Sequence, residues 1–394
     1  MLSINSIADK FVFYNLKNID YGYLHLTDSK GSEYFFGDRN SALKANVKIN
    51  SPKFSLKLLT KGSSGLGESY INNEFETNDL SSLIELSARN INATYKFSGF
   101  LQLFSLNGFL NKNIFSNTKK RSKKNISLHY DLGNEFFSSF LDKTLTYSCG
   151  IFNSPDETLE KAQINKYNKL INLVKPKDGD KILEIGCGWG GFAEHLAKNY
   201  NVKIDCITIS KKQFLFTKER IRKSRLTNKV NVKMMDYRDV KNKYDIIVSI
   251  EMIEAVGEKY LNKYFEVIKK NLKFGGRGAI QAIIIKDELY NRYRNKEDFI
   301  QKYIFPGGFL PSLKSLNKLS EKSGLRIDDC KLYGSHYSNT LQKWRKSFLN
   351  SWGQISRQGF NLNFKKMWDF YFSYCDAGFK SKNINLVQFS FCNK

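Results

Sequence analysis

The chain has 394 residues and a formal net charge of +25, from 63 Lys and Arg against 38 Asp and Glu. That length holds two domains with sizeable cores, and the charge suits an anionic partner, nucleic acid or an anionic membrane surface, unless it reflects only a bias toward Lys, Asn and Ile. Six cysteines without a C-x-x-C pair argue against a zinc site and a disulfide framework. No apolar leader and no apolar run of roughly 18 residues is present, so the expected place is the cytoplasm, peripheral on the inner membrane face.

Residues 1–115 alternate short apolar runs with turns. Segments 21–27 and 45–49 read as strands, and Asn78-Asp79-Leu80 opens a helical pattern of Leu80, Leu83, Ile84 and Leu86. Phe100, Leu101, Leu103, Phe104, Leu106, Phe109 and Leu110 follow with helical spacing and read as core. The basic run Lys119-Lys120-Arg121-Ser122-Lys123-Lys124 then reads as a solvated linker, or as a contact for an acidic surface, and a domain boundary is expected here.

From about residue 180 strands and helices alternate. Strand Lys181–Ile185 runs into Gly186, Gly188, Gly190 and Gly191, and an amphipathic helix follows. Glycine lets backbone approach a ligand closely, and the helix start behind it offers N–H groups and a positive dipole end. The spacing after Glu184 is not the dinucleotide G-x-G-x-x-G, and no lysine follows as in a phosphate-cradling loop. It resembles the S-adenosylmethionine loop of Rossmann-like methyltransferases. Further strands are expected at 203–209, 230–234, 244–250, 278–285, 325–333 and 386–391, with a helix over 259–272 ended by Gly275-Gly276. Repeated βα units imply a doubly wound α/β sheet, here of seven strands, with ligands beyond the carboxyl ends of the strands. The glycine loop and segment 251–257 both lie at those ends.

Several separated segments share a further resemblance. They are the run from His129 to Phe137, Thr146-Tyr147-Ser148-Cys149, the loop 183–191, Glu251-Met252-Ile253-Glu254-Ala255-Val256-Gly257, the run from Lys302 to Gly308, and His336-Tyr337-Ser338-Asn339-Thr340-Leu341. In this order they resemble the cyclopropane-fatty-acyl-phospholipid synthase family, related to the mycolic acid cyclopropane synthases. The N-terminal part fits more loosely, through residues 62–70. The resemblance implies a Rossmann-like methyltransferase domain over 116–394 and a smaller α+β accessory, lipid-binding domain over 1–115. It also implies transfer of the S-adenosylmethionine methyl group to the double bond of an unsaturated phospholipid acyl chain, and it allows a homodimer.

By that resemblance Tyr147, Ser148, Glu184, Gly186 and Gly188 hold the methionine end of the cofactor. Thr208 and Gln213 belong to the pattern T-[IL]-S-x-x-Q, and Asp236 and Tyr237 sit where the adenine is expected. Methylating an alkene leaves a carbocation, and a base must then remove a proton. The resemblance implies a bicarbonate ion as that base, anchored by Cys149, Glu254, Gln281, Tyr337 and the backbone of Ile283. Two positions depart from the family: Gln281 and Ala255 stand where many members carry His. A glutamine donates a hydrogen bond to an anion but cannot relay a proton. Taken singly, Cys149 would read as a small buried hydrophobe, Glu254 as a solvated helix residue and Tyr337 as a packed aromatic; their joint placement carries the assignment.

Three other functions compete. The same first step can end in a methylene-branched chain, later reducible to a methyl branch, if the cation loses its proton elsewhere. A methyltransferase for RNA or a small molecule would also suit the basic charge, but no RNA module or Asn-Pro-Pro-Tyr motif is present, which argues against nucleic acid. A lipid-binding module without turnover is opposed by the intact Glu184, Gly186, Gly188, Cys149 and Glu254.

Overall fold

The computed structural model describes residues 4–91, 117–130 and 132–394. The apolar stretch from Phe100 to Leu110, the expected boundary near 115 and Asp131 lie outside these residues. The chain forms two compact units. One comprises residues 1–114, 295–304 and 352–383, and the other 115–294, 305–351 and 384–394. The chain therefore crosses between units repeatedly, where the sequence reading has a single crossing near 115.

In the first unit, β1 (Tyr23–Thr27), β2 (Glu33–Gly37), β3 (Lys44–Ile49) and β4 (Phe75–Glu76) form a sheet in the order β2-β1-β3-β4. β1 and β3, anticipated from alternation, pair in parallel. Asp79 caps helix Leu80–Arg89 by accepting from the backbone N–H of Ser81 and Ser82. That helix buries the expected Leu80, Leu83, Ile84 and Leu86. Helix Leu362–Lys380 returns to this unit, where Tyr70 donates to Asp369 at 2.8 Å.

The second unit holds β5 (Lys181–Ile185), β6 (Lys203–Thr208), β7 (Val230–Met234), β8 (Tyr244–Ile250), β9 (Leu272–Ile285), β10 (Leu325–Leu332) and β11 (Ile384–Asn393). Their order is β10-β11-β9-β8-β5-β6-β7, with β9, β8, β5, β6 and β7 parallel and β11 and β10 added antiparallel. This is the doubly wound seven-stranded sheet the alternation implies. β5 is buried on both faces, as a parallel strand covered by helices must be: Leu183 and Ile185 enter one core cluster, and Ile182 enters the other. From β5 the chain winds outward to β6 and β7 on one side, then returns to β8 and β9 on the other. The switch point therefore lies between the carboxyl ends of β5 and β8, where such sheets bind ligands.

Two local expectations need correction. Helix Leu261–Asn271 ends with Leu272 already extended, and Gly275-Gly276 lies inside β9, not at a helix cap. There the β8–β9 register shifts, from Tyr244 opposite Leu272 to Ile246 opposite Arg277, and Gly275 takes φ 74°, so the pair forms an irregularity in the strand. The basic run 119–124 is not a linker. It opens helix Lys119–Tyr130, with Arg121 and Lys123 exposed and Ser122 buried.

Candidate active site

Beyond β5 the chain turns through Gly186 at φ 83° and Gly188 at φ 53°, conformations that cost a side-chain-bearing residue about 1–2 kcal/mol. The two glycines differ in what surrounds them. A Cβ on Gly186 would lie 2.6 Å from Met252 Cγ, whereas one on Gly188 meets no atom of the described residues within 4 Å. The amides of Gly186 and Cys187 both donate to Ile207 O at 3.0 Å, which ties the loop to β6. Those two donors therefore serve the fold, and the helix start Gly191–Asn199 lies beyond them.

One cavity opens at this point, with about 1090 Å³ of free space counting the part open to solvent. It is lined by every residue the sequence assigns to the cofactor: Tyr147, Ser148, Glu184, Gly186, Gly188, Thr208, Gln213, Asp236 and Tyr237. Thr208 Oγ1 donates to Gln213 Oε1 at 2.9 Å, so each fixes the other. Asp236 is held by Arg238, whose guanidinium meets both carboxylate oxygens at 2.8 and 2.7 Å. Three features suit a ligand with an ammonium, a carboxylate and an adenosine. Among the described residues, the buried Glu184 Oε2 has no hydrogen-bond partner, and neither does the buried Tyr237 hydroxyl. Lys166 is buried and donates to Ser148 Oγ at 2.6 Å. Burial pushes the Glu184 carboxyl up to about 8 and the Lys166 ammonium down to about 8, the latter against the attraction of Glu251.

The residues assigned to the anion separate into two groups. Cys149 N and Gln281 Nε2 donate to Glu251 Oε1 at 2.9 and 2.7 Å, and Tyr337 Oη donates to Glu251 Oε2 at 2.6 Å. Gln281 is aimed by its neighbour in the sheet, since Gln388 Nε2 donates to Gln281 Oε1 at 2.8 Å across the β9–β11 pair. That contact leaves the amide N–H₂ facing Glu251. Glu254 and Ile283 instead pair with each other, Ile283 N donating to Glu254 Oε1 at 2.6 Å. Glu254 Oε2 has no hydrogen-bond partner among the described residues, and burial followed by the charge of Glu251 pushes this carboxyl up to about 8. Glu251 is also raised by burial, opposed by the Tyr337 hydrogen bond, the Lys166 charge and its two other donors. The Cys149 thiol is driven up by burial and by Glu251, which makes it a poor proton acceptor.

Glu251 and Lys166 were not among the expected site residues, although both leave a trace in the sequence. Lys166 falls four residues from Ala162 and from Leu170, on the buried face of helix Leu159–Val174, where a lysine is out of place. Glu251 directly follows the apolar strand β8. The basic helix also contributes, through Ser122 and Ile126 in the cavity lining.

The profile of the mycolic acid cyclopropane synthetase family matches residues 117–389. The chain is 34% identical to the cyclopropane-fatty-acyl-phospholipid synthase of Escherichia coli strain K12, over 89% of each chain. It is 33% identical to the tuberculostearic acid methyltransferase UfaA1 of Mycobacterium tuberculosis, over 83% of this chain and 78% of that protein. Among solved structures it resembles the cyclopropane synthase MmaA2 of Mycobacterium tuberculosis, with TM-score 0.65 and 26% identity over 68% of this chain and 98% of the other.

Two measurements probe this geometry. Gly188→Val places a side chain in open space at the cavity wall, and S-adenosylmethionine affinity measured by calorimetry is expected to fall at least about tenfold while cooperative unfolding persists. Unchanged affinity would remove the loop from the binding site. Glu184 and Glu254, raised from 4.5 to about 8, bind protons in the folded state that the unfolded chain has lost. Their contribution to stability is complete below about 4.5 and disappears as pH rises through about 8; Lys166, lowered to about 8, acts in the opposite sense only above that pH. Urea unfolding of the ligand-free protein should show stability falling over this window, and Glu184→Gln should flatten the fall. An unchanged slope would mean Glu184 is not held neutral by burial.

Proposed function

The chain belongs to the mycolic acid cyclopropane synthetase family and methylates an unsaturated fatty acyl chain with S-adenosylmethionine; we propose that its substrate is a membrane phospholipid and its product a cyclopropane-bearing acyl chain. The observation that carries this reading is the meeting of the glycine loop and a buried, triply hydrogen-bonded carboxylate at one cavity. The bound cofactor supplies an electrophilic methyl group. Glu184, with its free oxygen, suits the ammonium of that cofactor, and Lys166 and Ser148 suit the carboxylate. Thr208, Gln213, Asp236 and Tyr237 would shape the adenosine end.

Carbocation formation needs a dry pocket whose walls tolerate positive charge. Tyr147 lines the cavity and packs among Phe137, Phe305 and Trp344, with ring centroids 5.3, 6.2 and 5.2 Å away. Aromatic faces attract cations through their quadrupoles. A bicarbonate ion as base would have to compete with Glu251 for Cys149 N, Gln281 Nε2 and Tyr337 Oη. A second reading ends in a methylene-branched chain, which a later reduction would turn into a methyl branch, and it rests on Gln281 and Ala255 standing where many members of the family carry His.

No described helix is long and apolar enough to cross a membrane. Peripheral docking on the anionic inner face suits the charge of +25 and the exposed Arg121 and Lys123. Each such residue contributes about 1 kcal/mol near an anionic surface.

Expression in a bacterial host lacking such an enzyme tests the product. Mass spectrometry of the acyl chains should show a gain of one CH₂, with cyclopropane protons by NMR. Vinylidene or methyl-branch signals would install the second reading, and no gain would overturn both. Docking is tested by sedimentation with vesicles. Binding should favour anionic over zwitterionic lipid, weaken in salt and fall when Lys119, Lys120, Arg121, Lys123 and Lys124 are neutralised. Equal, salt-insensitive binding to both vesicles would leave the charge as compositional bias.

A further inference from the structure

A non-glycine residue in the left-handed region is uncommon, and where one persists the surroundings over-determine it. Glu251 has φ 48° at the end of β8, inside the cavity that the glycine loop lines. Its backbone is pinned by Glu251 N donating to Gln281 O at 2.8 Å. Its side chain receives Cys149 N, Gln281 Nε2 and Tyr337 Oη, three of the groups expected to hold a free anion. A planar anion with two oxygens already fills that nest, and it is covalently part of the chain.

We propose that Glu251 replaces the bicarbonate ion and is itself the catalytic base, accepting the proton that the methylated acyl cation must lose. This rests on the methyl transfer to an acyl double bond described above. In that transfer the π pair forms the bond to the methyl carbon, and sulfur keeps the old C–S pair. The cation is then one proton in excess of product. Glu251 takes that proton. The C–H pair left behind closes a C–C bond to the cationic carbon, giving the ring; where a 1,2-hydride shift has first moved the cation to the methyl-bearing carbon, the same pair forms C=C instead, giving the methylene branch. Protonated Glu251 returns its proton to solvent before the next turnover. A tethered base needs no diffusible partner and stands at high effective concentration. Glu254 is the weaker candidate, because it does not line the cavity and one of its oxygens is tied to Ile283 N.

The test uses the full chain and three arms. Wild-type turnover in rigorously bicarbonate-free buffer should stay within about twofold of that with added bicarbonate. Glu251→Gln should keep S-adenosylmethionine affinity within a few-fold while turnover falls by about 10²–10⁴, as loss of a general base does. Glu251→Gly relieves the backbone strain and vacates the nest, so its residual activity should rise about tenfold or more on adding bicarbonate or formate. Saturable binding of ¹³C-bicarbonate, followed by NMR, supplies a readout independent of turnover: expected for Glu251→Gly and not for the wild type. A wild type that requires or saturably binds bicarbonate, or a fully active Glu251→Gln, would overturn the proposal. A wild type that methylates no acyl chain would strike only the substrate reading, and the ¹³C arm would still decide whether Glu251 fills the anion site.

Discussion

A carboxylate removed from water must be met by donors or it will be protonated, and that constraint organises the second unit around Glu251. Its oxygens draw one donor from the segment before helix Leu159–Val174, one from β9 and one from helix Gly334–Asn350. These elements are distant in sequence and converge only because β8, β9 and β11 lie side by side. Removing any one donor would leave a buried charge short of a partner, at a cost of about 1–3 kcal/mol.

The sheet register turns this requirement into geometry. Ile250 pairs with Gln281, and Gln281 pairs with Gln388, so one row across three strands ends beside Glu251. The Gln388 contact determines which end of the Gln281 amide faces the carboxylate. The irregularity around Gly275 shifts the pairing of β8 with β9 from Leu272 to Arg277, upstream of this row. A side-chain period of two makes such a row sensitive to register, because a slip of one residue would turn Gln281 to the opposite face.

Much of this was legible in the chain. Strand alternation, the glycine loop and the residues assigned to the cofactor, from Tyr147 to Tyr237, follow from short-range pattern and resemblance, and those assigned residues line one cavity. The base was not legible. Position 251 reads as the first residue of a motif, and nothing local says that its φ is positive or that its carboxylate takes the donors attributed to an ion. Lys166 was hidden similarly, since its meaning depends on what faces it. The basic run was misread because charge density argues for solvation, whereas one face of its helix, through Ser122 and Ile126, packs into the cavity wall. The return of residues 295–304 and 352–383 to the first unit has no local signal at all.

Proton removal at this site turns on what occupies the anion nest beside the cofactor cavity. A high-resolution crystal structure of the S-adenosylhomocysteine complex, grown with excess bicarbonate, addresses this directly. The density expected is continuous with the Glu251 side chain, with Oε1 in reach of Cys149 N and Gln281 Nε2 and Oε2 in reach of Tyr337 Oη. A separate trigonal ion on those donors, with Glu251 turned out of the cavity, would contradict it.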